Sequence, residues 1–553
     1  MLRLQISRRI SRIMSLTSCL ALTAFAGRAM GQARGGGFGM GPTVKPEIVS
    51  TAAAAQTPTA DGPFQATWES IQQNYKFPQW YVDGKFGITM HWGLFSVPAF
   101  HNEWYEQHMY DDNGIAKWHV ATYGPEDKFG YKDFIPLFKA ERFDPDALAA
   151  LIKESGAKYF MPTCEHHDGF SLWDSAFNPY NAAKMGPKRD LIGELAAAAR
   201  KKGLKFGVCN HSIEHYDFIT DHPRAAAATP NDLDDPQFAN FYWTHHTDEN
   251  LEKFLEMWVN KNIELIDKYQ LDILWFDNGA NSRAYDPLKL KVAAYFYNRA
   301  KQWGKDVTMD TKGAAYLQGS VEDFEKDVRG PTGLFPGVWE TENTLGSTWG
   351  YTEKDIVNGQ PASKPETFES PQALVTNLCT IVAKGGNLLL NLSPKADGSL
   401  TPQTVTDLQE IGKWLGVNGE AIYGTHSWTT FTEGRGRTAT YFTVKGDNLY
   451  AIAQSWPGQQ AVIASLATGK VDGTITSVSL LGHDGALTFT QDAEGLKITL
   501  PSDQPCKYAY TFKITGIKVN PAPALIHAGE PAAGGRGGAG RGGRGGATRP
   551  AGA

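Results

Sequence analysis

The sequence predicts a (β/α)8-type barrel followed by a C-terminal antiparallel β-sandwich. Segments such as 271–277 and 386–391 are apolar almost throughout, which is typical of parallel strands buried on both faces. These segments alternate with helical patterns over roughly 340 residues, enough for about eight βα units. From about residue 425 the pattern changes to short strands separated by Gly and Asp turns, as in a β-sandwich. The chain therefore divides into a barrel and a smaller β domain.

The barrel is predicted from the order of its elements. Its predicted strands include residues 86–91, 157–163, 204–210, 271–277, 306–311 and 386–391. Helices are expected near 145–155 and 191–202, and a longer one carries an apolar stripe from Leu251 to Ile266. Thr401 is a candidate helix N-cap, with Pro402 at the first helical position. In a barrel of this kind, the chemistry lies at the carboxyl ends of the strands.

Five regions follow from these patterns. We assign residues 1–31 to a signal peptide, 32–63 to a flexible linker, 64–424 to the barrel, 425–518 to the β-sandwich and 519–553 to a disordered Gly/Arg-rich tail. The signal peptide is predicted from arginines that precede the apolar run Ile13–Ala26, which is too short and too broken to span a membrane. A secreted or periplasmic protein is therefore expected. For the tail, a solvated segment is favoured over a nucleic-acid contact.

Composition excludes several classes of protein. The 553 residues carry a net charge of −6, so the chain lacks the basic face that a nucleic-acid partner would need. Cys164, Cys209, Cys379 and Cys506 show no metal-type spacing, and they are expected to be thiols, with one disulfide left open. We expect no metal, no other cofactor and no membrane span, and the oligomeric state is not predicted.

Polar residues close several of the predicted strands. Asp277 follows the apolar residues 273–276 and precedes turn-forming residues, so its carboxylate is expected to emerge at the barrel mouth. Its position alone fits a helix cap equally well. His91 closes the first strand, and His166 and His167 close the second. A lone histidine is more often structural, but two strand ends that carry histidine favour a shared site.

The neighbouring histidines are not expected to chelate one metal ion together. Successive residues of a strand point to opposite faces, which separates His166 from His167. Uncharged imidazoles that donate to sugar hydroxyls fit the pattern better than zinc does. Glu103 and Trp104 add a carboxylate beside an aromatic ring in the loop after the first strand, a weak signal when taken alone.

A longer set of motifs is specific in combination. It begins with Lys85–Phe100 and Glu103–Tyr105 and continues through Cys164–Phe170, Trp173–Ser175, Lys188–Asp190, Gly203–Gly207, Leu274–Asp277, Trp339–Glu340, Trp349–Tyr351, Gly385–Asn391 and Trp414–Tyr423. In this order, over roughly residues 65–425, the motifs resemble family 29 of the glycoside hydrolases, the retaining α-L-fucosidases.

The resemblance implies roles for individual residues. It makes Asp277 the nucleophile of a covalent fucosyl-enzyme intermediate. The positions that match the sugar contacts of the family are His91, Glu103, Trp104, His166, His167 and Trp275. The chain departs from the family at Cys209–Ser212: the family often has a tyrosine or a Tyr-His pair before the serine, whereas this chain reads Cys-Asn-His-Ser, which indicates an altered pocket wall.

The acid/base residue is less firmly placed by the resemblance. Glu325 is favoured because Asp323–Lys326 resembles the Asp-Tyr-Glu-Arg of many family members, with Glu322 second and Glu340 third. The implied function is exo-acting hydrolysis of terminal α-L-fucosyl residues from oligosaccharides or glycoconjugates, and the implied partner is a fucosylated oligosaccharide or polysaccharide substrate. The alternatives are a related glycosidase, such as an α-galactosidase, and an inactive carbohydrate-binding homologue. The linkage preference is not encoded in any pattern of this sequence.

Overall fold

The computed structural model describes residues 45–55, 57–111, 114–219, 230–312, 315–316, 318–326, 330–335, 337–357, 360–363, 368–523 and 525. The predicted signal peptide at 1–31 and most of the predicted tail at 519–553 lie outside the described residues.

The strands fall into a barrel set and a C-terminal set. In chain order they are β1 (Phe86–Met90), β2 (Tyr159–Glu165), β3 (Lys205–Asn210), β4 (Ile273–Phe276), β5 (Thr308–Lys312), β6 (Ser320–Asp323), β7 (Trp339–Thr344), β8 (Lys354–Val357), β9 (Gln360–Ser363), β10 (Asn387–Leu392), β11 (His426–Glu433), β12 (Thr440–Lys445), β13 (Asn448–Ala453), β14 (Gln460–Ile463), β15 (Gly473–Leu480), β16 (Phe489–Gln491), β17 (Leu496–Thr499) and β18 (Tyr510–Ile517).

The α-helices precede and connect the barrel strands. They are α1 (Pro46–Ala54), α2 (Trp68–Asn74), α3 (Gln79–Gly84), α4 (Tyr105–Met109), α5 (Gly114–Tyr123), α6 (Pro145–Glu154), α7 (Leu191–Lys201), α8 (His215–Phe218), α9 (Ala239–Tyr242), α10 (Asp248–Tyr269), α11 (Asp286–Trp303), α12 (Pro371–Ala383) and α13 (Pro402–Asn418). Among the described residues, no helix is both long enough and apolar enough to cross a bilayer.

The predicted fold class is confirmed. Eight parallel strands close in the order β1-β10-β7-β6-β5-β4-β3-β2, and β8 and β9 form a separate hairpin. After the barrel, β11-β12-β13-β18-β15 and β14-β17-β16 form two antiparallel sheets around a second apolar core. The chain passes from one architecture to the other between Tyr423 and His426.

Helix ends follow the chemistry read from the sequence. The Thr401 hydroxyl accepts a hydrogen bond from the backbone N–H of Thr404 at 3.2 Å, and Pro402 occupies the first helical turn of α13. Helix α10 begins in the same way at Thr247 and buries the apolar stripe that begins at Leu251. These caps satisfy backbone donors that would otherwise lack a partner.

The predicted linker at 32–63 is wrong in its second half. Residues 46–54 form α1, whose Val49 and Ala52 are buried, and the helix packs on α10 and α11. Asn298 of α11 then holds the following segment by donating to Ala60 O at 2.9 Å. Small apolar side chains allow a helix to pack closely against two others. This Ala-rich segment is therefore a packed helix, although its composition suggested a flexible linker.

The barrel interior contains a polar layer below its mouth. The Tyr81 hydroxyl donates to Asp310 Oδ2 at 3.0 Å and to Glu340 Oε2 at 2.9 Å, and Tyr159 donates to the same glutamate. Burial raises the pKa of both carboxyl groups. Gly87 is required here, because a β-carbon at this position would come within 2.0 Å of the Tyr159 ring.

Candidate active site

Strand alternation aims the site residues into the barrel mouth. Ile273 and Trp275 face the interior core, so Asp277, two residues further along, emerges on the same side at the strand end. The same alternation applies to the next two strands. Asp310 and Lys312 of β5 share one side of their strand, and Val321 and Asp323 of β6 share the side that faces the interior. The carboxyl ends of parallel strands meet at one edge, which brings these side chains together.

Asp277 lies at the centre of this arrangement. Its Oδ1 is 2.7 Å from the Lys312 ammonium, and its Oδ2 is 3.6 Å from His167 Nε2 and 3.7 Å from His211 Nε2. Burial acts to raise the pKa of this carboxyl, but Lys312, His211 and His167 outweigh it and hold the pKa well below its usual range. Asp277 is therefore ionised although it is only 5% exposed.

Lys312 connects Asp277 to a second carboxylate. Its ammonium is also 3.2 Å from Glu325 Oε2, and the Glu325 side chain is 33% exposed. Burial alone would lower the pKa of Lys312, but Asp277, Glu325, Glu342 and Asp323 raise it well above its ordinary value. The lysine therefore stays charged between the two carboxylates.

Four imidazoles form one wall of the pocket. The ring of His91 lies 5.7 Å from that of His166 and 5.1 Å from that of His211, and the rings of His166 and His167 are 4.3 Å apart. Desolvation lowers the pKa of all four, to about 3 for His91 and about 4 for His167. They are consequently uncharged at neutral pH and can both donate and accept hydrogen bonds.

The loop after β1 contributes a carboxylate and an indole. Glu103 Oε2 accepts a hydrogen bond from Gly350 N–H at 3.2 Å, and burial raises the pKa of this glutamate. The Trp104 ring stands edge-on to His167 with centroids 5.9 Å apart. Trp349 packs against His91 at 5.1 Å, which links this loop to the imidazole wall.

Trp275 forms the inner surface beneath these groups. Its ring lies 5.2 Å from His211, and the Lys312 ammonium lies 5.1 Å from its centroid. Within the described part of the chain, its indole N–H has no hydrogen-bond partner. All eight site residues expected from the sequence therefore converge on one end of the barrel.

The other two acid candidates are placed differently. Glu340 is fully buried in the polar layer, where Tyr81 and Tyr159 donate to it. Glu322 alternates with Val321 and Asp323, which have the interior parity, and it therefore points to the outer side of the strand. Of the three glutamates, Glu325 is the one in contact with the Asp277–Lys312 pair.

Sequence reasoning did not single out several residues of the site. The predicted strand ends at Thr311, so Lys312 is missed; the available signal is a charged residue directly after a predicted strand. Glu214, whose Oε2 lies 3.2 Å from His167 Nδ1, carried no local pattern. His211 was noted as a departure from the family pattern, without its contact to Asp277.

Two groups of side chains have the donors that a metal ion could use. His91, His166 and His211 form one, and His167, Glu214 and Asp277 form the other, with the ligand atoms of each group within 4.8 Å of one another. His166 and His167 belong to different groups, although both follow β2 and their ring centroids are 4.3 Å apart.

A closed (β/α)8 barrel with two carboxylates and neutral imidazoles at its mouth has the groups that a glycoside hydrolase uses. Comparison with known families gives the particular kind. A family model described as alpha-L-fucosidase matches residues 51–420, and one for the alpha-L-fucosidase C-terminal domain matches residues 436–515. The chain belongs to the α-L-fucosidase family.

Individual relatives agree over nearly their whole lengths. The tissue alpha-L-fucosidase of Mus musculus is 31% identical over 473 residues, covering 83% of this chain and 95% of the relative. The plasma alpha-L-fucosidase of Homo sapiens is 30% identical, covering 82% and 93%. Among solved structures, the Thermotoga maritima alpha-fucosidase in complex with fucose superposes with a TM-score of 0.65 at 29% identity, covering 82% of this chain and all of that one.

Proposed function

We propose that the protein removes terminal α-L-fucosyl residues from glycans by a retaining, two-step mechanism in which Asp277 is the nucleophile and Glu325 the acid/base. The observation that carries this proposal is the shared contact of both carboxylates with Lys312. Because one ammonium contacts both carboxylates, Asp277 Oδ1 and Glu325 Oε2 lie within about 6 Å of each other, which is compatible with the about 5–5.5 Å between the carboxyl groups of retaining glycosidases.

The surroundings of Asp277 suit a nucleophile. A carboxylate that attacks an anomeric carbon must be ionised, and the charge of Lys312 keeps the pKa of Asp277 low despite its burial. His167 is held from its far side by Glu214 at 3.2 Å, which fixes the ring beside Asp277 Oδ2. Attack forms the bond between Asp277 and C1 of the sugar as the bond from C1 to the leaving oxygen breaks.

The setting of Glu325 suits proton transfer to and from solvent. The side chain is partly exposed at the mouth, so it can regain a proton after each turnover. In the first step it donates that proton to the departing oxygen, and in the second it takes a proton from the water that attacks C1. The contact with Lys312 at 3.2 Å holds the Glu325 carboxyl group on the same side of the barrel mouth as Asp277.

The pocket wall matches the two sides of fucose. Uncharged imidazoles of His91, His166 and His167 can exchange hydrogen bonds with ring hydroxyls, together with the Glu103 carboxyl group. The rings of Trp104 and Trp275 offer apolar surface to the C6 methyl group, whose burial is worth about 1 kcal/mol. We propose these six residues as the contacts of the fucosyl unit.

Replacement of the nucleophile tests the mechanism. Asp277→Gly should lower kcat on an aryl α-L-fucoside by about 10⁴-fold or more. Azide should restore turnover and yield the β-fucosyl azide, because a single displacement inverts the anomeric centre. Unimpaired turnover, or an α-fucosyl azide from this variant, would contradict the assignment.

We also propose that the chain is exported. The N-terminal arginines followed by an apolar run support cleavage near Ala26 or Gly31. N-terminal sequencing of the mature protein tests this, and a mature chain that retains residues 1–31 in the cytoplasm would exclude it.

A further inference from the structure

Three imidazoles in the sugar pocket converge from three different strand ends. His91 follows β1, His166 follows β2 and His211 follows β3, and their candidate ligand atoms all lie within 4.8 Å of one another. The ring centroids are 5.7 Å (His91–His166), 5.1 Å (His91–His211) and 5.0 Å (His166–His211) apart.

This spacing is close to that of imidazoles around a single metal ion. With Zn–N bonds of about 2.0–2.1 Å and tetrahedral angles, the centroids of ligated rings are about 5 Å apart. Three histidines with a fourth position open is also a known ligand set for zinc. Small side-chain movements would therefore suffice to place all three rings on one ion.

The three imidazoles each have a nitrogen that is available to bind such an ion. Asn391 Nδ2 donates to Trp349 O at 2.8 Å, which turns its Oδ1 toward His91 Nδ1 at 2.7 Å. His91 Nδ1 therefore carries the proton, and Nε2 is left with a free lone pair. The Nδ1 atoms of His166 and His211 are buried and have no hydrogen-bond partner in the described ranges. Burial keeps the rings neutral, the form that binds metals.

We propose that His91, His166 and His211 bind one divalent ion of the zinc class and that this ion excludes the sugar from the pocket. Imidazole ligands select zinc-like ions over magnesium and calcium, which prefer oxygen. The competition part rests on the proposed function, because it assumes that the same imidazoles contact the fucosyl unit.

The neighbouring group of His167, Glu214 and Asp277 is a poorer site for a cation. The Lys312 ammonium already lies 2.7 Å from Asp277 Oδ1 and repels a second positive charge there. His211 completes the other group, and it lies in the segment Cys209–Ser212 where the sequence departs from the family pattern.

Cobalt spectroscopy tests the binding without relying on activity. The full chain, freed of metal with a chelator, is titrated with Co²⁺, which gives visible d–d absorption in a tetrahedral site and is displaced by Zn²⁺. We expect saturation at one equivalent per chain. His211→Phe and, independently, His166→Phe should weaken binding by more than the about 10–100-fold lost with an outer-shell partner. His483→Gln, in an exposed turn of the C-terminal domain, should leave the titration unchanged.

The outcomes separate the two proposals. Absence of the absorption band, or a band that survives both phenylalanine substitutions in folded protein, would overturn the metal site. A band that L-fucose bleaches supports competition, whereas a band insensitive to saturating fucose would overturn that part. Failure of azide to rescue Asp277→Gly would count against the proposed mechanism and would leave the cobalt result untouched.

Discussion

The ammonium of Lys312 lies 2.7 Å from Asp277 Oδ1 and is the strongest influence that keeps this buried carboxylate ionised. The same ammonium contacts Glu325 at 3.2 Å. A single cation at the end of β5 therefore contacts both the proposed nucleophile and the proposed acid/base, and it keeps Asp277 ionised. Substitution of Lys312 should consequently change the pH dependence of the reaction as well as its rate.

Lys312→Met should shift the acidic limb of the pH profile of kcat/KM to higher pH. Asp277 must be ionised to attack, and its pKa rises when the cation is lost while the desolvation by burial remains. Removal of one such electrostatic contact is also expected to lower kcat by about 10²–10³-fold at neutral pH. Hydrolysis of an aryl α-L-fucoside across the acidic range measures both effects. Lys312→Arg keeps the charge, so the acidic limb of its pH profile should coincide with that of the wild type. If the acidic limb of Lys312→Met also coincides with the wild type, Lys312 does not lower the pKa of Asp277.

Glu325→Gln tests whether Glu325 is the residue that protonates the leaving group. Without a proton donor, hydrolysis of a fucoside with a poor leaving group should slow by about 10²–10⁴-fold, while a dinitrophenyl fucoside, which needs no protonation, should be cleaved with a far smaller loss. Azide should yield the α-fucosyl azide here, because Asp277 still forms the intermediate. Glu322→Gln, on the outer side of β6, is the matched control and should behave as wild type. Equal effects of both changes would remove Glu325 from the mechanism.

The barrel was predictable because its signals are local. Apolar strand cores, the Thr401 cap and the stripe on α10 each follow from a few neighbouring residues, and the structure has all three. Asp277 and His91 could be found in the same way, because each closes a strand. The linker prediction failed where composition was used in place of periodicity, at the helix 46–54.

Residues whose role depends on contacts across the barrel were harder to find. Lys312 matters because it lies between Asp277, which follows β4, and Glu325, which follows β6. Glu214 matters because it contacts His167 from another loop. Neither contact can be predicted from the spacing of these residues in the sequence. The choice among Glu322, Glu325 and Glu340 likewise depended on which side of a strand each side chain occupies.

The buried ion pair behind the histidine wall should be a stability determinant. Lys261 of α10 contacts Glu165 at the end of β2, directly before His166, and both side chains are at most 1% exposed. Lys261→Met leaves the carboxylate buried without its counterion, and a loss of about 3–5 kcal/mol is expected from urea unfolding. Lys261→Met combined with Glu165→Gln should recover part of the loss. Lys201→Met, in an exposed pair with Asp146, should cost less than about 1 kcal/mol. Equal losses for the buried and exposed lysines would contradict this expectation.

Asp168, next to His167, should make stability fall as the pH rises through the weakly acidic range. Burial raises its pKa to about 7 in the folded protein, against about 3.9 for an unfolded aspartate. The folded state thus binds the proton more tightly, so its contribution is complete below about pH 4 and is lost between about pH 4 and pH 7, at up to about 1.4 kcal/mol per pH unit. Asp168→Asn cannot titrate, and its free energy of unfolding should decline less steeply over this range.

Substitution of Tyr131, which contacts Asp168, tests the direction in which this hydrogen bond shifts the pKa of Asp168. The Tyr131 hydroxyl donates to Asp168 Oδ2 at 2.8 Å and favours the ionised carboxylate. Tyr131→Phe should therefore raise the pKa of Asp168 further and extend the decline of stability above pH 7. Urea unfolding at several pH values, with wild type and both variants in parallel, measures these slopes. Parallel curves for wild type and Asp168→Asn would show that Asp168 does not hold its proton in the folded state, and a shortened decline in Tyr131→Phe would reverse the assigned direction of the hydrogen bond's effect.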